Sequence, residues 1–349
     1  MADVRGVLSL LRRARIAQMM EREGERLRAA IPDAPATASD RTGRAYSTLP
    51  DPRLRAVSED YARQAGIDYQ LPPTFPRVNP ADAREYAIAY DSMRDDPLEP
   101  LVRASYDQMG RETLDQLDAL VQAGYRFEFM PQDEAGNFLD PYAATPRLAL
   151  EDLRDNRRMY TFPTEGGYGT LTDAGDQNPL LREGPYMGPR VFNGQPYVLN
   201  DAFRIVHDAL GHGPMGAGFR ARGEEGAFQH HAALYSDLAR PAVAAETRGQ
   251  NSFVNYSPRV LEPPHPGAGM TVAEWNKGRS AADTVYADQK AGLLPDFVYN
   301  RGLEWLGRPI SVEQLRAMLA RGGVSAALAL AIMQRAEVDD ESRTVRLAA

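Results

Sequence analysis

The chain has 349 residues, 43% hydrophobic and 25% charged, the balance of a globular protein with a sizeable core. Its formal net charge of −8 argues against a surface built for nucleic acid, and the absence of cysteine excludes disulfides, thiolate metal ligands and thiol nucleophiles. The apolar run 7–11 is too short for a signal peptide and the apolar stretch 324–333 too short to span a bilayer, so a cytoplasmic protein without stable membrane insertion is expected.

In chain order, residues 1–31 hold an amphipathic helix. Leu8, Leu11, Ile16, Met19, Met20 and Leu27 fall at helical spacing with arginines between them, a face suited to the body, a partner or another subunit. Pro32 ends it, and 32–56 reads as a flexible linker. The catalytic, metal-binding domain is expected over 57–310. There Pro100 starts a helix whose buried face is Val102, Tyr106, Met109, Leu117, Leu120 and Val121, and Gly124 stops it. The alternation in 125–130 suggests a strand, a helix is expected over 147–158, and 160–200 is rich in loop residues. Asn200 and Asp201 are placed to cap a helix that leads into the stretch 203–216. Further helices are expected over 220–239 and in the segment closed by Gly292 and Pro295. C-terminal helices over 311–320 and 324–337 complete 311–349. The fold class is therefore mainly α with a few short strands, α+β.

All five histidines lie between positions 207 and 265, a clustering that scattered structural histidines do not show. On one regular helix His207 and His212 would point ~140° apart. They converge on one ion if the helix ends between them, and Gly211, Gly213 and Pro214 supply residues suited to such an ending. Two imidazoles call for a carboxylate to complete a facial triad, with Asp208, Glu224, Glu225 and Glu246 as candidates. Asp208 adjoins His207 and points elsewhere on the helix, while Glu224 and Glu225 have Arg220 and Arg222 as ordinary partners. Glu246 stands in an otherwise small, uncharged run, which favours it.

The segment "HDALGHGP" (207–214) resembles the H-[DE]-x-x-G-H-x-P motif of the pterin-dependent aromatic amino-acid hydroxylases at every fixed position. "EEG" (224–226) is similar to an E-x-G segment on their next helix, and "ETRG" (246–249), 34 residues after His212, to the segment carrying their third ligand. The likeness covers roughly residues 185–250 and implies a helical catalytic domain with Fe(II) held by His207, His212 and Glu246. It also implies Asp208 beside the cofactor and Arg190 near the substrate carboxylate. Where the family has bulky aromatics before its glutamate, this chain has Ala242, Val243, Ala244 and Ala245, which weighs against pterin and an aromatic substrate. A second resemblance, through "LPPTFPRVNP" (71–80), "ETRGQNSFVNYSP" and "YADQKAGLLPDF", is to uncharacterised phage and mobile-element proteins and implies no reaction.

The expected function is a mononuclear non-haem iron oxygenase acting with dioxygen on an amino-acid-like or other small polar substrate. Arg248, Gln250, Asn251 and Asn255 are candidates for a substrate-binding loop, His230 for an additional ligand or base, and Tyr235 for the pocket lining. Two other readings compete: a hydrolase using the same ligands on Zn²⁺ or Mn²⁺, and a non-enzymatic phage-associated structural protein. An HD-type phosphohydrolase is disfavoured because no histidine precedes position 207.

Overall fold

A computed structural model describes residues 50–67, 69, 78–164, 177–181, 191–192, 194–263, 265, 267–272, 274–275, 284–300, 310–311, 336–339 and 344–347. The expected N-terminal helix, most of the linker, Arg190 and most of the C-terminal segment lie outside them. The chain divides into two units, one spanning Leu27–Leu294 and the other including Pro295–Ala349. The described residues are mainly helical with small sheets, an α+β composition.

The larger unit begins with α1 (Pro52–Ala65), which starts inside the expected linker. Asp51 caps it by accepting from Arg53 N, and Gly66 closes it in the left-handed region at φ 70°. Helix α2 (Pro80–Ser92) is capped by Asn79. The long α3 (Pro100–Gln122) opens on Pro100 with the Glu99 carboxylate accepting from Leu101 N and Val102 N, and Gly124 follows its end at φ 86°. Its expected inner face is buried except for Val121, which is 53% exposed because it falls on the last turn. Strands β1 (Arg126–Phe129) and β2 (Arg158–Thr161) pair in parallel, joined by α4 (Arg147–Asn156). This is the parallel connection that needs a crossover. A short antiparallel pair, β3 (Val191–Phe192) and β4 (Gln195–Pro196), precedes α5 (Leu199–Val206). Val198, rather than Asn200, occupies the cap position of α5; Asp201 reaches back to accept from Val198 N.

After α5 come a π-helical turn, His207–His212, and a 3-10 turn, Gly213–Met215, which Gly216 ends at φ 63°. Helix α6 (Ala221–Ala232) packs against the π turn and is shorter than expected, because 233–239 form turns held by α3. Glu112 accepts from Ser236 N, and Ser105 donates to Leu238 O. Residues 248–256, expected as a loop, are helical: α7 (Arg240–Ala244), a second π turn (Ala245–Gly249) and α8 (Gln250–Tyr256) follow without a break, then α9 (Pro258–Leu261). Helices α1, α5 and α7 pack on α3, and α2 packs on α8, so the core gathers around the two π turns.

The helix expected before Gly292 is not formed at the described positions 284–295. The backbone there is satisfied by α2 and the residues after it instead: Tyr90 donates to Asp288 O, Ala291 N donates to Asp95, and Asp96 N donates to Ala291 O. Gly292 lies so close that an added Cβ would sit 2.5 Å from Arg94 O. In the second unit, α10 (Asp296–Tyr299) follows Pro295, and β5 (Ile310–Ser311), β6 (Ala336–Asp339) and β7 (Thr344–Leu347) form an antiparallel sheet in the order β5-β7-β6. Ser311, Ala336 and Glu337 are therefore in strands where helices were expected.

Candidate metal centre

The helix does not stop between the two histidines. It widens instead. In a π turn residue i bonds to i+5, which brings the fifth residue back over the first. His207 and His212 thereby meet on one face, edge to face, with ring centroids 5.0 Å apart and planes at 86°. Gly211 makes the approach of α6 possible: a Cβ there would meet Ala227 O at 3.1 Å and His207 Nδ1 at 3.3 Å. Gly213 does the same for α1, since a Cβ would fall 2.3 Å from Leu54 Cδ1, and Asp51 N donates to Gly213 O at 3.0 Å.

His207, Asp208 and His212 form a group that could hold a metal ion, with one donor atom from each within 4.8 Å of the others. Helix α6 brings a further carboxylate to it. Glu224 Oε2 lies 3.4 Å from His207 Nε2 and 3.4 Å from His212 Nε2. His212 Nδ1 stands 3.0 Å from Ala217 O. A carbonyl only accepts, so Nδ1 carries the proton and neutral His212 keeps its Nε2 lone pair free. His207 Nδ1 and His231 Nδ1 share a hydrogen bond at 3.2 Å. His212 is fully buried, whereas the His207 and Glu224 side chains keep 12% and 24% exposure, so the group is closed behind and open on one side.

Electrostatics separates the two nearby acids. Burial opposes ionisation of Glu224, but His212 and His207 override it and hold its carboxyl far below the ordinary value. Burial likewise works against a charged His212, and Glu224 more than offsets it, raising its pKa. For Asp208 burial prevails over both histidines, and its pKa is raised.

Glu246 lies in the second π turn with its own partners. Tyr106 Oη donates to Oε1 at 2.5 Å, and Gln250 Nε2 donates to Oε2 at 2.8 Å. Burial pushes its pKa up to about 7, against the lowering effect of those two hydrogen bonds. Arg204 on α5 lowers the pKa of both Asp208 and Glu246, so its guanidinium lies within electrostatic reach of both carboxyls.

The remaining sequence candidates divide. Arg248 is buried and paired with Glu225, Nε to Oε2 at 3.0 Å and Nη2 to Oε1, with its guanidinium over the rings of Phe228 and Tyr86. Gln250 bridges Glu246 and Gln289. Asn255 donates to Asn251 O and Oδ1, one turn back on α8. Tyr235 shares a hydrogen bond with Thr113 at 2.8 Å and meets the His231 ring edge-on. His230 is buried, neither ring nitrogen has a hydrogen-bond partner, and burial brings its pKa down to about 3. Glu224 and His231 both meet His207. They are seven apart on α6, hence on one face, and that arithmetic was available in the sequence.

Comparison of the chain with protein-family models, curated proteins and solved structures gave no match in any of the three. The likenesses to the hydroxylases and to phage proteins rest on motif residues alone, and the structure contributes a His-Asp-His group able to hold a metal.

Proposed function

We propose that the chain is a metal-dependent enzyme of the mononuclear non-haem iron class, using dioxygen to oxidise an amino-acid-like or other small polar substrate. One observation carries the reading: two imidazoles on one face of a π turn meet a carboxylate, and one of them, buried His212, has an Nε2 with no hydrogen-bond partner. Two imidazoles and one carboxylate are a donor set that suits Fe(II), which supplies dioxygen activation while keeping other coordination positions open.

The protein groups divide the remaining work. Ala217 O fixes the His212 tautomer so that Nε2 offers a lone pair. His231 accepts from His207 Nδ1 when His207 offers its own Nε2, holding the ring in place. Arg204, within electrostatic reach of Asp208 and Glu246, gives the surroundings a polar character suited to a small polar substrate.

The test is metal analysis after aerobic and anaerobic purification, with oxygen uptake measured against a panel of amino acids and other small polar compounds. Iron in the wild type, lost in His207→Ala and His212→Ala, with substrate-dependent oxygen uptake, is the expected result. Absence of any transition metal above the level of those variants refutes the reading. Tightly held zinc without oxygen uptake moves the protein to the hydrolases.

A further inference from the structure

We infer that Glu224, not Glu246, is the carboxylate that completes the metal site with His207 and His212. The inference deepens the reading of the site as a metal centre and rests on it.

Distances come first. Donors bound at ~2.1 Å to one ion stand ~3.0 Å apart at right angles and ~3.4 Å apart at the tetrahedral angle. Glu224 Oε2 is 3.4 Å from both Nε2 atoms, the spacing expected on each of those two edges for donors that share one ion. Hydrogen bonding accounts for one edge only, since His207 Nε2 and Glu224 Oε2 share a hydrogen bond at 3.4 Å. His212 Nε2 is buried, lies within ion-pair distance of Glu224, and still has no hydrogen-bond partner, because the contact lacks the alignment of one. A lone pair aimed past its neighbour is what a shared ion requires.

Glu246 is placed otherwise. Both its oxygens accept, from Tyr106 and from Gln250. Among the described residues, Glu224 is the carboxylate paired with both His207 and His212. Asp208 remains in the group as a second carboxylate, with a donor atom within 4.8 Å of those of both histidines. The backbone supports Glu224 as well. The preceding Gly223 sits so tightly on Gly218 that an added Cβ would fall 1.5 Å from its carbonyl oxygen, which seats the first turn of α6 against the exit from the π turn.

Co²⁺ is the probe, added anaerobically to the intact wild type and to Glu224→Gln, Glu246→Gln and Asp208→Asn. Affinity is read by competition with a chromophoric chelator, coordination by the visible spectrum, and folding by metal-free melting. Loss of an outer partner typically weakens a metal by about 10–100-fold. We expect Glu224→Gln to lose more than that, Asp208→Asn to fall within that range, and Glu246→Gln to stay within a few-fold of wild type. Glu224→Asp, which keeps a carboxylate, should recover part of the affinity with a shifted spectrum. Retained Co²⁺ in Glu224→Gln overturns the assignment and leaves the metal centre standing. Equal loss in Glu224→Gln and Glu246→Gln with melting intact also overturns it. A wild type that takes up no Co²⁺ removes both readings, while Co²⁺ bound as expected with no substrate-dependent oxygen uptake by the iron-loaded protein removes only the oxygenase.

Discussion

Arg248 and Glu225 allow a structural role to be told from a substrate role by magnitude. The arginine is 1% exposed and the glutamate 12%, so the pair is nearly dry on one side only. Glu225→Gln keeps the shape but removes the counter-charge from a guanidinium that cannot discharge, and breaking such a pair costs about 3–5 kcal/mol. Arg248→Met leaves a carboxylate with some access to water, so its charge penalty is smaller. It also strips the contacts with Phe228 at 4.0 Å and Tyr86 at 4.9 Å, each worth about 0.5–2 kcal/mol. Both single variants therefore land near about 4 kcal/mol. At about 2–4 °C per kcal/mol for a domain of this size, each lowers Tm by roughly 8–16 °C. The double variant leaves no orphaned charge, so its loss should fall short of the sum by at least about 2 kcal/mol. Urea unfolding and thermal melting of the four proteins give the cycle. An Arg248→Met protein that melts within about 2 °C of wild type would show that the guanidinium does not hold the fold. Loss of substrate binding in that variant would return it to the substrate role that the sequence suggested.

Glu246 makes stability fall as pH rises. Its folded pKa of about 7 exceeds the ordinary 4.5, so the folded state holds the proton more tightly, and stability is lost between pH 4.5 and 7. Over that window the loss is about 3 kcal/mol; Glu246→Gln should flatten the slope and be the more stable protein at pH 8, and an unchanged pH profile would refute the shift. The two tight glycines should differ in their tolerance of alanine, because Gly223 faces the Gly218 carbonyl while Gly213 faces the far end of the Leu54 side chain. Gly213→Ala should cost about 1–3 kcal/mol in urea unfolding and Gly223→Ala more, with weakened metal uptake in the latter; the reverse order would contradict the packing.

How much of this was legible depends on the kind of signal. Pro100 and Gly124 bracket α3 because capping is local, and the sequence shows both. His207 and His212 are visible as a pair because five histidines crowd one segment. The way they meet was hidden, since glycines and a proline suggest a break, and a π turn depends on what packs against it. Ala227 and Leu54, pressed against Gly211 and Gly213, are distant in sequence from the histidines' own turn. The helix expected before Gly292 failed for a related reason: α2 and the residues following it supply the hydrogen bonds that a helix would have made itself. Alternation and spacing report what a segment can do alone, and these segments are shaped by neighbours.

The end of the expected linker looked like spare rope. Its residues 51–56 are instead the brace of the centre. Asp51 holds the Gly213 carbonyl, Leu54 fills the space that Gly213 leaves, and the charge of Arg55 is felt at His230. A chain trimmed at residue 56, the expected end of the linker, would lose all three and leave the His212 turn without its brace. The same holds for a protease nicking the chain there: damage some distance from any histidine would be read out as a weakened grip on metal.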